Sequence, residues 1–402
     1  MSRLSPRRRR LAARGPVAAA GLVAAVAIAA CAGDEAFGPR ATTTGTYDFR
    51  LPPGFPLPRI AADNPITPEK VELGRHLFYD TRLSGNGTAS CASCHRQDRA
   101  FTDGRAQAIG STGERHPRGS MMLANMAYTS VLNWANPNMR RLEAQALIPL
   151  FGEHPVELGL AGLEDTLIAR LERDTLYQRL FRAAFPGGPP AVRVQDITRA
   201  LASFQQALVS ADSPYDRYKY RGDRTALDAS ARRGEALFFS ERLECFHCHG
   251  GPTFSASSDW QGKSFAEQEF FNNGLYNIGG TGRYPEPNVG LYEFTGRPED
   301  MGAFKAPSLR NVMVTAPYMH DGSLATIDDV IDHYAAGGRL LTSGPNAGDG
   351  RANPNKSGFV AGFTLTAQER QDLKAFLTSL TDSTFLRDPR FANPWPARAG
   401  AR

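Results

Sequence analysis

Two short strings constrain this chain more than any other feature: Cys91-Ala92-Ser93-Cys94-His95 and Cys245-Phe246-His247-Cys248-His249. On a helical turn, cysteines three apart share a face, and the residue that follows projects to the same side. That arrangement suits two thioether bonds to the vinyl groups of one haem, with the histidine as proximal iron ligand. Two covalently bound haem c groups are therefore expected, one on Cys91, Cys94 and His95, the other on Cys245, Cys248 and His249. Read alone, each motif is also half a zinc site or a thioredoxin-like redox pair. Duplication, a repeated lead-in helix and an export signal favour haem. His247, inside the second motif, is expected at the surface or facing a propionate and has no assigned role.

The export signal lies at the N-terminus. Arg7 to Arg10 and Arg14 precede a run of 14 mostly apolar residues, Val17 to Ala30, too short to span a bilayer but suited to a signal-peptide core. Ile28-Ala29-Ala30-Cys31 resembles a lipobox, whose cysteine is lipidated and becomes the new N-terminus. The plainer alternative is an ordinary signal peptide cut nearby. Ala32 resembles the residue that sends lipoproteins to the outer membrane, so the expected location is the periplasmic side of the envelope, touching the membrane only through a lipid anchor. Haem attachment to an unfolded chain after export favours the general secretory route over a twin-arginine one.

The leader also accounts for the basic balance. Residues 1–30 hold six arginines and no acids, so the formal charge of +5 becomes −1 without them. A nucleic-acid partner has no support in that charge. Of five cysteines, Cys31 belongs to the lipobox and four to the haem motifs, leaving none for a structural disulfide.

The rest of the chain repeats itself. A Thr/Gly/Pro-rich stretch to about Asn64 reads as a tether and a proline-stiffened segment. Thr67-Pro68-Glu69 then predicts an N-cap opening a helix through Phe78. Gly74, Leu77, Phe78, Arg82 and Leu83 recur as Gly234, Leu237, Phe238, Arg242 and Leu243, all offset by 160. The cysteines follow at an offset of 154, which places a six-residue insertion near Ser84 in the first copy. Amphipathic helices from Asp196 to Ser210 and from Thr366 to Leu380 are expected to close the two copies. The expected fold is mainly α, with two tandem cytochrome c-like domains. Its parts are a signal peptide (1–30), a tether (31–64), a first domain (65–222), a second (223–385) and a C-terminal tail (386–402). The Gly/Asn/Pro-rich segment from Ser343 to Gly358 is expected as a surface loop.

An electron carrier needs both irons six-coordinate, whereas a peroxidase needs one open face and a group that moves a proton. Leu83-Ser84, Ser90 to His95 and Ala100-Phe-Thr-Asp-Gly104 resemble the first haem region of the bacterial di-haem cytochrome c peroxidase and MauG family. Leu142-Glu-Ala-Gln145, Pro149 and Pro155-Val-Glu157-Leu-Gly159 are similar to that family's distal-pocket segment. Met301 to Asn311 and Thr315 to Ser323 resemble its second-domain signature. The resemblance covers about residues 50–380.

Position by position, the resemblance implies Glu157 as the distal acid/base of the first haem, with Gln145 as a supporting pocket residue. Such a carboxylate takes the proton from hydrogen peroxide and returns it to the departing oxygen. Apart from the family, Glu157 reads as a solvated loop carboxylate. Trp134 matches the tryptophan that relays charge between the haems, although Trp134-Ala135-Asn136-Pro137 replaces the family's Trp-Asp-Gly-Arg. The alternative is a buried structural tryptophan. In the peroxidases a methionine ligand lies fourteen residues after the histidine of His-Asp-Gly; counted from His320, that position is Tyr334, and MauG likewise has tyrosine there. Thr326 is expected to cap a helix from Ile327 to Ala336 that carries it.

A thioether favours reduced iron and a high potential, whereas a hard oxygen ligand favours higher oxidation states. Tyr334 is therefore expected as distal metal ligand opposite His249, against the alternative of a core tyrosine. Neighbouring His333 points roughly 100° away on a helix. His116 lies two residues before Arg118, out of register with the loop histidine that closes the first haem in resting peroxidases, so that face is expected open. The family's calcium uses one asparagine and two carbonyls. Thr315 and Pro317 match the carbonyls, but Gly119 occupies the asparagine position, leaving the calcium set incomplete.

The resemblance, most like the MbnH-type branch through Asn133 to Pro137 and Phe151 to Gly159, implies a MauG-like oxidase. Hydrogen peroxide reacts at the first haem, and high-valent iron oxidises an aromatic residue of a periplasmic partner protein, tryptophan to kynurenine in that branch. The rival readings are a cytochrome c peroxidase fed by a small redox protein and a non-enzymatic electron-transfer cytochrome.

Overall fold

The structure, a computed structural model, describes residues 47–188 and 191–396. The basic leader and Cys31 lie outside the described residues. Helix α1 (Pro68–Tyr79) starts as its sequence dictates: the Thr67 side chain accepts from the Lys70 amide at 3.3 Å, and Pro68 fills the first turn. It ends at Asp80, whose carboxylate caps the next turn by accepting from the Arg82 amide. The first motif forms a single turn, α2 (Cys91–Cys94). Helices α3 (Leu142–Phe151), α4 (Glu164–Glu172), α5 (Thr175–Ala184) and α6 (Val194–Ala207) complete this half.

In the second half, α7 (Pro214–Tyr220) leads to α8 (Ala229–Phe238), and the second motif forms α9 (Cys245–Cys248). A short turn α10 (Tyr292–Thr295), then α11 (Ile327–Ala335) and α12 (Ala367–Ser379) follow. The expected Thr326 and Thr366 N-caps are both present, each as a reciprocal capping box with Asp329 or Glu369. Strands are few and short among the described residues: β1 (Phe270–Phe271) pairs antiparallel with β2 (Phe304–Lys305), and β3 (Leu340–Leu341) with β4 (Gly348–Asp349). The fold is mainly α, with two cytochrome c-like halves in tandem, as the sequence predicts.

Each half is built around one helix crossing that only glycine permits. A Cβ on Gly74 of α1 would lie 2.0 Å from the Ala200 carbonyl oxygen of α6, and one on Gly234 of α8 would lie 1.9 Å from the Asp372 carbonyl oxygen of α12. Close approach lets aromatic rings interlock beside the crossing. Phe78 and Phe204 stand 5.1 Å apart between ring centres, as Phe238 and Phe376 do at 5.2 Å. Burying each such ring contributes about 1.5–3 kcal/mol. A buried bidentate ion pair, Arg310 with Asp216 of α7 at 2.8 Å, fixes the entry to the second half, and Arg310 also donates to the Pro252 carbonyl.

Two segments carry more than their sequence pattern shows. The 343–358 segment lies at the surface and is largely irregular, as expected, but it is tied down in its middle. It contains β4, and Gly348 and Gly350 press against the backbone of Asn277 and Gly274, where a Cβ would come within 1.9 Å of a carbonyl oxygen. Tight backbone packing needs glycine as much as a turn does, and the sequence pattern does not separate the two uses. The C-terminal segment packs back on the first half up to Pro396. Phe385 and Phe391 join its core, Tyr79 donates to the Phe391 carbonyl, and the Trp395 indole donates to that of His76.

Candidate di-haem centre

The two CxxCH turns are held alike. Helix α2 begins at a Ser90 capping box, and α9 begins at Glu244 in a left-handed conformation, so the two cysteines of each motif emerge on one face. His95 Nδ1 bonds to the Phe101 carbonyl at 2.7 Å. His249 Nδ1 lies 3.3 Å from the Phe254 carbonyl and 3.1 Å from that of Pro307. Carbonyl acceptors at Nδ1 place the proton there and leave Nε2 as the free lone pair, the state an iron ligand requires. Burial pushes the Cys91, Cys245 and Cys248 thiols up to about 12 and Cys94 to about 11.

A cavity of about 260 Å³ opens beside the second motif. Cys245, Cys248 and His249 lie on one part of its wall, Tyr334 on another, and Phe359, Phe363 and Leu309 supply apolar lining. Burial pushes the Tyr334 phenol up to about 12, partly offset by the Asn273 amide, and the two motif cysteines lie near enough to act on it. His333, next along α11, is buried with Nε2 bonded to the Asn273 carbonyl at 3.0 Å, and it does not line this cavity. Tyr334 thus faces the second motif and His333 does not.

Around the first motif the open element is a loop, not a helix. Glu157 follows α3, tied back by the Leu158 amide to the Pro149 carbonyl at 2.9 Å. The Ser111 amide donates to the Glu157 carbonyl at 2.7 Å. Burial raises the Glu157 carboxyl to about 7, and its charge is felt at both Cys91 and Cys94. The side chain is 34% exposed, so it is partly buried and not a freely solvated loop carboxylate. Gln145, on α3, has its side-chain oxygen buried without a hydrogen-bond partner among the described residues, an orphaned acceptor.

A family model described as di-haem cytochrome c peroxidase matches residues 68–225. The methylamine utilization protein MauG of Methylorubrum extorquens is 35% identical over 83% of this chain and 83% of its own length. Cytochrome-c peroxidase IdrP1 of Denitromonas iodatirespirans is 36% identical over 87% of this chain and 92% of its own. The chain belongs to the di-haem cytochrome c peroxidase/MauG family. A crystal structure of a MauG-like protein associated with microbial copper homeostasis is 48% identical, with a TM-score of 0.85 over 87% of this chain and 100% of that one. The chain is accordingly an oxidoreductase enzyme, and di-haem membership implies two c-type haems. The residues fit that group: paired cysteines on one face, histidines with Nε2 free, and an apolar-lined cavity at the second motif.

Within this di-haem scaffold Trp134 lines the same cavity as His249 and Tyr334, together with Asp103 and Arg105, which closely follow the first motif. Its indole donates to the Gly119 carbonyl at 3.2 Å, and its own carbonyl accepts from the Lys305 amide at 2.8 Å. The Gly119 carbonyl is therefore already engaged, and Gly119 brings no side-chain oxygen to a calcium set with Thr315 and Pro317. His247 is half-buried, stacked on Phe359 and paired with Glu244 at 2.8 Å.

Two polar groups stand where spacing alone does not reveal them. Lys305 is buried on the cavity wall, its ammonium bonded to the Val131 carbonyl at 2.7 Å, and burial lowers it to about 7. His116 stands 3.9 Å from the Glu157 carboxylate. The only sequence sign for Lys305 is its place in the Met301 to Asn311 signature.

Proposed function

We propose that this chain is a MauG-like di-haem oxidase, which takes hydrogen peroxide at the haem of His95 and oxidises an aromatic residue of a partner protein. The observation that carries this reading is Tyr334: a phenol, where the peroxidases have a methionine, faces the second motif from the cavity wall. When bound, the haems supply the iron that reacts with peroxide and the capacity to hold the oxidising equivalents. Glu157, near neutrality, accepts the proton of hydrogen peroxide and returns it to the departing oxygen. Gln145 is a supporting residue of that pocket in this reading, its buried side-chain oxygen left available as an acceptor. Trp134 would relay charge between the halves, and Tyr334 and His249 would hold the iron of the second haem, Tyr334 offering a hard oxygen suited to oxidised iron.

A protein substrate, with tryptophan as the residue oxidised, is our assignment; it follows the resemblance of Asn133 to Pro137 and Phe151 to Gly159 to the MbnH-type branch. Residues 65–222 and 223–385 form the two haem domains in this reading. Export through the leader, with a lipid on Cys31, places the enzyme on the periplasmic side of the envelope; among the described residues no helix is long and apolar enough to cross a membrane.

Stoichiometric peroxide added to the diferric protein tests the reading. Both haem spectra are expected to change together, with no prior reduction. Reaction only after one-electron reduction would favour a cytochrome c peroxidase fed by a small redox protein, as the 36% identity to IdrP1 allows. Silence at both haems overturns either enzyme and leaves an electron carrier.

A further inference from the structure

The 108–118 segment folds as a tight hairpin against the loop that bears Glu157. Ile109 bridges Arg115, and the Gly110 amide donates to the Glu114 carbonyl at 2.8 Å. The hairpin is then pinned to its neighbour from two sides. Ser111 donates to the Glu157 carbonyl at 2.7 Å, and the Glu114 carboxylate accepts from the Val156 amide at 2.9 Å. Contact is closest at Gly110, where a Cβ would lie 1.9 Å from the Val156 carbonyl oxygen. No other residue type allows that approach, so the hairpin holds a fixed position relative to Glu157.

His116 is the residue that this position delivers. Its backbone amide donates to the Ala108 carbonyl at 2.8 Å, and its Nδ1 accepts from the Arg118 amide at 3.2 Å. A backbone N–H can only donate, so Nδ1 must be the acceptor and the ring proton of neutral His116 sits on Nε2. Nε2 is the atom 3.9 Å from Glu157 Oε1. A small swing of either side chain closes that gap to a hydrogen bond. Burial, with Arg118 alongside, lowers the His116 imidazole below its usual range, so near neutrality it is a neutral donor.

We propose that His116 and Glu157 work as a pair, with the His116 Nε2–H stabilising the Glu157 carboxylate and so keeping it available to take the proton of peroxide. The proposal rests on the assignment of Glu157 as distal acid/base. The proton moves from the attacking oxygen of hydrogen peroxide to Glu157 and on to the departing oxygen, so the pair gains and loses nothing over a cycle. His116 is a positioning residue: it acts on peroxide through Glu157. The charged and titratable groups facing the pair are Arg118 and Glu114 from the hairpin and the Cys91 and Cys94 sulfurs of α2. With thioethers formed, those sulfurs no longer titrate, leaving His116 as the donor that favours the carboxylate.

The test is the pH profile of the reaction between diferric holoprotein and peroxide, followed by stopped flow. His116→Phe removes the donor, so the acidic limb moves up in pH and the rate at about pH 6 falls roughly three- to tenfold. His116→Gln restores the limb, because its amide N–H replaces Nε2–H. An infrared titration of the protonated carboxyl band that Glu157→Gln abolishes is expected to shift upward in His116→Phe and not in His116→Gln. An unmoved limb and band in His116→Phe overturn the pairing, as does His116→Gln behaving like His116→Phe. A change in the spin state of the first haem in His116→Phe also overturns it, by making His116 an iron ligand. Glu157→Gln reacting at the wild-type rate sinks the assignment of Glu157 itself, whereas a slow Glu157→Gln beside an unaltered His116→Phe sinks only the pair.

Discussion

The two halves share a skeleton down to single rings and differ in the one element that faces the haem position. Gly74 against Ala200 and Phe204 is matched by Gly234 against Asp372 and Phe376. Phe78 meets Phe101 at 5.9 Å, and Phe238 meets Phe254 at the same distance. The carbonyls of Phe101 and Phe254, both residues with positive φ, hold Nδ1 of His95 and His249. Against this identity, the first half presents a loop carboxylate, Glu157, and the second a helical phenol, Tyr334. The skeleton decides where a haem is gripped. In the proposed reading, the segment opposite sets what that haem does.

The largest expected break of this comparison is Glu157→Gln. Removing a positioned proton acceptor lowers the rate of peroxide reaction by about 10²- to 10⁴-fold. Stopped flow measures it, and the spectrum of the second haem is expected to stay unchanged. Next comes a pair of variants that probe the shared skeleton. Gly74→Ala and Gly234→Ala each drive a methyl into a carbonyl oxygen at a helix crossing, costing about 2–3 kcal/mol. Thermal midpoints are expected to fall by similar amounts in both. A large loss in one and none in the other would show that the halves are not held by equivalent crossings.

Much of the skeleton is legible in the sequence because it is local. Capping residues such as Thr326 and Thr366, the CxxCH turns and the 160-residue offset all act over a few residues or repeat in register. The pairing of Phe101 with Phe254 is harder to see, because the insertion near Ser84 lowers the offset to 154 and one residue more between the histidine and the phenylalanine of the first copy lowers it to 153. Long-range placement is less legible still. Nothing in the spacing of Lys305 announces a buried ammonium on the cavity wall, and His116 makes sense only once the Gly110 contact fixes its hairpin on Val156. The C-terminal segment gives no periodic signal because it packs through single aromatic residues, Phe385, Phe391 and Trp395.

A smaller change sharpens the second half. Tyr334→Phe keeps the ring and removes only the phenol oxygen, so stability is expected to change by no more than about 1 kcal/mol. The absorption and electron paramagnetic resonance spectra of the second haem are expected to change while those of the first do not. An unaltered second-haem spectrum would exclude Tyr334 as ligand and return His333 to consideration, despite its bond to the Asn273 carbonyl.

The smallest expected effect separates the halves by pH alone. Glu157 is raised from 4.5 to about 7 by burial, so between those values the folded protein holds more protons than the unfolded chain. The contribution is therefore fully present below pH 4.5 and is lost as pH rises through about 7. Residual solvent contact at this half-exposed side chain screens it to a modest size. Tyr334, assigned as an iron ligand, adds no neutral-range titration of its own. Burial lowers His320 and His333 to about 4, so they add stability as pH rises and oppose the Glu157 contribution in the raw curve. The informative quantity is the difference in thermal midpoint between wild type and Glu157→Gln from about pH 4.5 to 8, which is expected to fall with rising pH and to be unchanged in a Tyr334→Phe background. A flat difference would place the neutral-range proton on another group and remove the electrostatic contrast between the loop carboxylate and the helical phenol.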